Sequence, residues 1–416
     1  MLKGNRQSFL LADDVVVILP PVIMAAYSAS MRSFLFSIQA MLEKDEIRSC
    51  LLDFSCDSMG FEKFYKEVEA DLTKKKIFVV AVFFNNWKDS FRILEKIALA
   101  RASSEIKTIC VGPYAAFFYE VFLNKGWADI IVLADAEFVV LKLLKSGLDF
   151  QAIAKISNIA YKEKGKVYKK KVMWTDRLDE VPFLSPYFIA KAIQPVTVLI
   201  SRGCPFPCAF CDKRNLWGSK VRFRSIKNVL EELQVLEDAA VRDIVFGDDN
   251  LLFDSLYIKS LCRQMIRRGM HFSWKCDSRV DAVTLEVLKL MRMAGCRMIC
   301  FGVESGSSRI RRNLGKYISN KDIINAVSWA REAGLHVGLY MLLGSPGDSV
   351  VTLKETELFL RKLAPVKSVL WHSLVLVPGS RLYDEYILKH KKKKDFILTR
   401  EQPVSYRQDF PEHKKA

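Results

Sequence analysis

From residue 14 to about 147, short apolar runs alternate with longer amphipathic stretches. The runs are "VVVIL" (15–19), "CLLDF" (50–54), "IFVVAVFF" (77–84), "TICVG" (108–112) and "DIIVL" (129–133), and helical patterns such as "KDSFRILEKIALARA" (88–102) lie between them. Continuous β-branched runs separated by helices predict a parallel sheet covered on both faces. Five such units predict a flavodoxin-like or Rossmann-like doubly wound domain over residues 1–147, with its ligand outside the C-terminal ends of the strands.

Residues 148–195 read as a connector. "YKEKGKVYKKK" (161–171) sets a glycine between two lysine-rich arms and predicts a small exposed hairpin, and "LDEVPFLSPYF" (178–188) carries two prolines and runs extended. A second series then begins with "VTVLI" (196–200), "DIVFG" (243–247), "FSWKC" (272–276), "RMICFGV" (297–303), "VGLYMLL" (337–343) and "SVLWHSLVL" (368–376). Helical patterns at 281–294, 320–333 and 349–363 fill gaps between them. Six strand–helix units predict a partial (βα)6, TIM-like barrel over 196–384, with its active face at the strand C-termini. Residues 385–416, with "KHKKKK" (389–394), form a basic polar tail.

Half of the residues are hydrophobic and 27% are charged, an ordinary globular composition with ample material for a core. Near the N-terminus, Asp13, Asp14 and Pro20-Pro21 interrupt the apolar stretch, so Val15 to Leu19 reads as a buried strand rather than a signal. No segment reaches about 18 uninterrupted apolar residues, so no transmembrane helix is expected. The net charge of +17 suggests an anionic partner, yet much of the excess lies in two lysine-rich runs that solvation alone explains. Contact with a membrane surface stays open. Nucleic acid is not favoured, because no stacking platform, finger spacing or helix-turn-helix accompanies the charge.

Ten cysteines are too sparse for a disulfide scaffold and fit a reducing cytoplasm with a metal site. Cys204, Cys208 and Cys211 fall together in "RGCPFPCAFCDKR" (202–214), just after the strand "VTVLI". Gly203, Pro205 and Pro207 keep that loop tight and non-helical. Three thiolates can hold a 4Fe–4S cluster with one iron left open. The alternative is a structural zinc site with a distant fourth ligand among Cys276, Cys296 and Cys300. Cys296 and Cys300 share one face of a strand and read as core thiols, and no second CxxC pair exists.

The CxxxCxxC spacing, with the aromatic Phe210 before the last cysteine, resembles the signature of radical S-adenosylmethionine (SAM) enzymes. The resemblance covers 196–384 and implies a 4Fe–4S cluster on Cys204, Cys208 and Cys211, with SAM on the open iron. In that family an electron from the cluster cleaves SAM to methionine and a 5′-deoxyadenosyl radical, and an electron donor such as flavodoxin or ferredoxin is implied. Further landmarks carry over. "FGDDN" (246–250) puts Asp248 and Asp249 where polar groups meet the SAM amino group, with capping of a helix as the structural alternative. Arg279 follows the third strand and is placed for the SAM carboxylate, and Glu304 in "FGVESGS" for the ribose hydroxyls. "MLLGSPGDS" (341–349) and "LVPGSRLY" (376–383) are similar to segments of the cobalamin-linked branch.

The first 150 residues look like the cobalamin-binding domain of that branch. In "VGPYAAFFYEVFLNKGWADIIVLADAEFVVLKLL" (111–144), Gly112 and Glu137 match the family's Gly-Gly and Gly-Glu-x-Glu positions. The chain departs from the pattern with Pro113 and with "ADAE" (134–137). The five histidines are His271, His336, His372, His390 and His413, so no axial histidine comes from the first 270 residues. The implied reaction is cobalamin-dependent methyl transfer or a rearrangement on a small-molecule, lipid or peptide substrate that the residue types do not name. Two alternatives remain. One is a tRNA methylthiotransferase, which needs a second cluster that Cys50, Cys56 and Cys110 would have to hold. The other is a non-enzymatic protein with a structural metal.

Overall fold

The structure, a computed structural model, describes residues 15–20, 25–53, 76–83, 87–101, 105–184, 195–363 and 365–393, with Lys66, Val68, Ile189, Asp395 and Leu398. The chain divides into two compact units, Met1–Ser185 and Pro186–Ala416.

In the first unit, β1 (Val15–Leu19), β2 (Ser49–Asp53), β3 (Ile77–Ala81), β4 (Lys107–Val111), β5 (Ile130–Val132), β6 (Ile159–Glu163) and β7 (Lys166–Lys169) form one sheet in the order β2-β1-β3-β4-β5-β6-β7. β1 to β5 are parallel. Every residue of β1 and β3 is buried, as central strands with both faces covered require. Helices Ala25–Lys44, Trp87–Arg101 and Ala136–Lys145 lie between strands. Chain direction across the sheet reverses at β1, which pairs with β2 on one side and β3 on the other. In flavodoxin-like order this is the switch point at which ligands bind. The expected hairpin is present. Lys164 and Gly165 both take positive φ, as a two-residue I′ turn needs. Its first arm is not merely exposed: β6 pairs antiparallel with β5, and Ile159, Ala160 and Tyr161 are buried.

In the second unit, β8 (Val196–Val198), β11 (Asp243–Phe246), β12 (Ser273–Ser278), β13 (Cys296–Glu304), β14 (His336–Leu343) and β15 (Ser368–Ser373) form a parallel sheet in the order β15-β14-β13-β12-β11-β8. Helices separate the strands, and their starts are legible: Ser225, Asp254, Thr284, Ser319, Ser349 and Ser380 all accept a first-turn amide. Between β8 and β11 a two-stranded ribbon forms from β9 (Ser201–Arg202) and β10 (Arg222–Phe223). That ribbon shortens the expected "VTVLI" strand to three residues. The helix Arg381–Lys389 runs past the expected domain end at 384, and most of the basic tail lies outside the described residues. Among the described residues no helix is long and apolar enough to cross a membrane.

Candidate active site

The cysteine loop is stitched to the second unit at both ends and in the middle. Gly203 sits at φ +111, and a Cβ there would meet Lys220 O at 2.1 Å, so only glycine lets the chain turn out of β9. The Cys204 amide donates to Gly218 O at 3.1 Å. Trp217, buried one residue earlier, takes the Arg202 guanidinium on its ring face at 4.5 Å. At the centre, Ala209 donates its amide to Leu314 O and accepts from the Leu382 amide, both at 2.8 Å. Phe210 is half-buried beside it.

Cys204, Cys208 and Cys211 are free and half-buried. Burial raises all three thiols above the usual range, while Lys316 and Arg279 pull Cys208 part of the way back. Such thiols stay protonated until a cation displaces the proton. Among the described residues no three His, Cys, Asp or Glu side chains close on a point that would hold a single ion. An all-thiol set on one loop fits a 4Fe–4S cluster, in which each cysteine binds a different iron. Cys276 and Cys296 are buried on the neighbouring strands β12 and β13, and the Cys296 thiol donates to Met298 O at 3.6 Å. With Cys300, also buried on β13, they are core thiols.

The polar run after β11 holds the loop from behind. Asp248 does not cap a helix. It is buried and accepts from the Ile200 amide at 3.2 Å and from the Ser201 amide and hydroxyl at 2.6 Å each. Burial raises its carboxyl to about 7 despite those donors. Asp249 pairs with Lys213 at 2.7 Å, two residues past the last cysteine. Asn250 Oδ1 accepts from the Ser278 hydroxyl and the Arg279 amide at 3.2 and 3.4 Å, fastening the end of β12.

Arg279 meets the loop directly, its guanidinium 3.9 Å from the Phe206 ring centroid. The same fork is held by Asp281 through Nε at 2.9 Å and Nη2 at 2.7 Å, so it is stacked and pre-oriented. Glu304 ends β13 at φ +68, where the pairing with β14 slips by a residue between Gly302 and Glu304. Its Oε1 lies 2.8 Å from Lys316 Nζ, and the two side chains are only 7% and 6% exposed. A Cβ on Gly302 would stand 2.5 Å from that Nζ, so the glycine makes room for the pair.

Sequence reasoning missed Phe206, Lys213 and Lys316, which meet predicted site residues only through the fold, and Asp281, which lies two residues from its partner Arg279. It also missed a group on the face of β12 that carries Arg279. There the Tyr340 hydroxyl reaches across β13 to Asp277 Oδ1 at 3.2 Å, and its ring centroid lies 6.0 Å from that of His372. The single local signal was alternation, which puts Lys275, Asp277 and Arg279 on one side of β12.

In the first unit, Gly112 takes φ +98 at the end of β4, where a Cβ would stand 2.6 Å from Val82 O. It lets β4 leave the sheet close against the chain that follows β3. Glu137 is fully buried and accepts from the Ser37 hydroxyl at 2.7 Å, joining helix Ala136–Lys145 to helix Ala25–Lys44. Cys50 lies on β2 and Cys110 on β4, with β1 and β3 between them, and Cys56 is outside the described residues.

Residues 198–360 match the radical SAM superfamily. An uncharacterized methyltransferase of Pyrococcus horikoshii is 28% identical over 282 residues, 66% of this chain and 61% of the relative. The cytidylyl-2-hydroxyethylphosphonate methyltransferase of Streptomyces wedmorensis is 25% identical over 320 residues, 67% of this chain and 60% of that protein. The chain thus spans about three fifths of these relatives. Among solved structures, the cobalamin-dependent SAM radical enzyme OxsB, with aqua-cobalamin and SAM bound, superposes with a TM-score of 0.72 at 17% identity, over 92% of this chain and 62% of that one. TsrM of Kitasatospora setae, a radical SAM methyltransferase with cobalamin and a [4Fe–4S] cluster bound, gives 0.72 at 16%, over 91% and 78%. At those identities the likeness is one of fold.

Proposed function

From the radical SAM domain that this chain carries over residues 198–360, we propose an enzyme that cleaves SAM reductively and uses the radical for cobalamin-dependent methyl transfer or rearrangement. The observation that carries the reading is a loop of three thiols at the C-terminal end of the first strand of a six-stranded parallel sheet. Cys204, Cys208 and Cys211 would hold a 4Fe–4S cluster, which when bound would supply the electron for reductive cleavage of SAM.

The remaining work belongs to the chain. Arg279, held flat by Phe206 and Asp281, offers a fixed cationic plane to a carboxylate. Glu304, oriented by its ion pair with Lys316, is an acceptor for hydroxyls. Asp248 and Asp249 serve chiefly by anchoring the loop and Lys213. Lys275, Asp277 and Tyr340 supply donors and acceptors to a polar substrate on the face shared with Arg279. For cobalamin the support lies in topology, the β1/β3 switch point, and in the methyltransferases among the relatives. Gly112 also lets the backbone pass close to Val82, and Glu137 also accepts from Ser37, so both have a role in the fold itself. A cytosolic setting and a flavodoxin- or ferredoxin-type donor complete the reading.

Anaerobic protein reconstituted with iron and sulfide should hold about four irons per chain. After reduction it should convert SAM to 5′-deoxyadenosine. Zinc instead of iron, with SAM intact, overturns the proposal. A corrinoid visible spectrum in the purified protein decides the cobalamin part separately.

A further inference from the structure

We infer that Lys316 is a positioning residue that locks Glu304 to the cysteine loop, so that the two halves of the site cannot move independently. The inference rests on the radical SAM reading for what the site binds, but its mechanical part stands on the chain alone.

Lys316 is reached by no local pattern. It lies in the bend between helices Ser308–Asn313 and Asn320–Glu332, and is 5% exposed. An ion pair so buried is costly unless its geometry is well held, and losing one partner leaves an uncompensated charge. Here the geometry is held from both sides. On the loop side, Leu314 O accepts the Ala209 amide at 2.8 Å, between Cys208 and Cys211. Gly315, at φ +69, packs so closely that a Cβ would lie 3.0 Å from Pro207 O. On the strand side, the buried Arg311 guanidinium donates to Ser305 O at 2.7 Å, next to Glu304, and to Ile318 O at 3.1 Å, two residues beyond Lys316.

The Leu314–Lys316 segment is therefore a strut. Its backbone touches the thiol loop, its ammonium holds the carboxylate, and Arg311 clamps its far end to the strand that carries Glu304. Glu304 itself takes a left-handed conformation that non-glycine residues rarely adopt, which surrounding contacts must enforce. Gly302 is part of the device, because its missing side chain is the space in which the Lys316 and Glu304 heads meet.

Three variants test this. Lys316→Met removes the charge, and Lys316→Arg keeps it with a longer head. Gly302→Ala changes no charge but sets a methyl within 2.5 Å of Nζ and 2.7 Å of Oε1. Hydrogen exchange at the Ala209 amide is measured in iron-free protein, and the SAM dissociation constant in reconstituted protein. We expect Lys316→Met and Gly302→Ala to speed Ala209 exchange at least tenfold and to weaken SAM at least tenfold, with Lys316→Arg recovering part of both. If Ala209 exchange and SAM affinity stay within twofold of wild type in Lys316→Met and Gly302→Ala, the strut is wrong. A wild-type chain that takes up no iron and binds no SAM overturns the radical SAM reading instead, and Ala209 exchange then decides the strut on its own.

Discussion

The Asp248 carboxylate grips Ser201 twice, by its amide and by its hydroxyl, each at 2.6 Å. One buried acid after β11 thereby sets where the chain leaves β8 and enters the cysteine loop. Burial raises that acid to about 7, so its titration is a stability signal. The unfolded carboxyl titrates near 3.8. Between these values the folded state binds the proton more tightly. The stability this contributes is full below about 4 and is lost as pH rises to about 7. Thermal melts of iron-free protein against Asp248→Asn should show the wild-type advantage shrinking from pH 4 to 7 and level above. An advantage that grows with pH contradicts the assignment.

Gly203→Ala should be severe. The added methyl meets Lys220 O at 2.1 Å, at a φ that side chains rarely adopt. Strain of this kind costs on the order of 1–3 kcal/mol before the clash is counted. Urea unfolding should register the loss, and iron uptake should fall with it. Gly165→Ala, also at positive φ but with nothing within 4 Å, should cost only about 1 kcal/mol.

Arg279→Lys is expected to fail almost as badly as Arg279→Gln. The stack on Phe206 and the paired hydrogen bonds to Asp281 both need a planar fork, which an ammonium lacks. Titrating SAM into reconstituted variants should weaken binding about tenfold or more in both. Near-normal affinity in the lysine variant would show that charge alone suffices.

The ten cysteines should separate by role. Alanine at Cys204, Cys208 or Cys211 should abolish stable iron loading. Alanine at Cys276 or Cys296 should leave about four irons per chain and cost about 1 kcal/mol of stability, as a small buried side chain lost from a core. Iron analysis beside denaturant melts reads both.

In the first unit, Glu137→Ala removes an acceptor that joins two helices. It should lower stability by about 1–3 kcal/mol. If cobalamin binding is measured on the folded variant, it should change by less than threefold. A large specific loss would return Glu137 to the ligand site that the family resemblance implies.

Strands and helix starts were legible because they are local. Every residue of "VVVIL" is buried, as its unbroken apolarity implies, and Ser319 caps its helix reciprocally with Asp322. The hairpin at 161–171 was legible from Gly165, but its place beside β5 was not, since pairing with a distant strand leaves no mark on the turn. The sequence singled out the carboxylates but not the protein groups that they bond. Asp248 was weighed as a helix cap, yet its acceptors serve backbone some 47 residues earlier.

The sequence by itself determined the two α/β series, the loop of three thiols and its position after the first strand of the second series. Those follow from periodicity and from spacing within a few residues. Only the tertiary structure decided what these charged groups meet: that Lys213 belongs to Asp249, Arg279 to Phe206, and Lys316 to Glu304. A charge acts across a few ångströms of space, and in a barrel those ångströms are spanned by strands that the sequence keeps far apart.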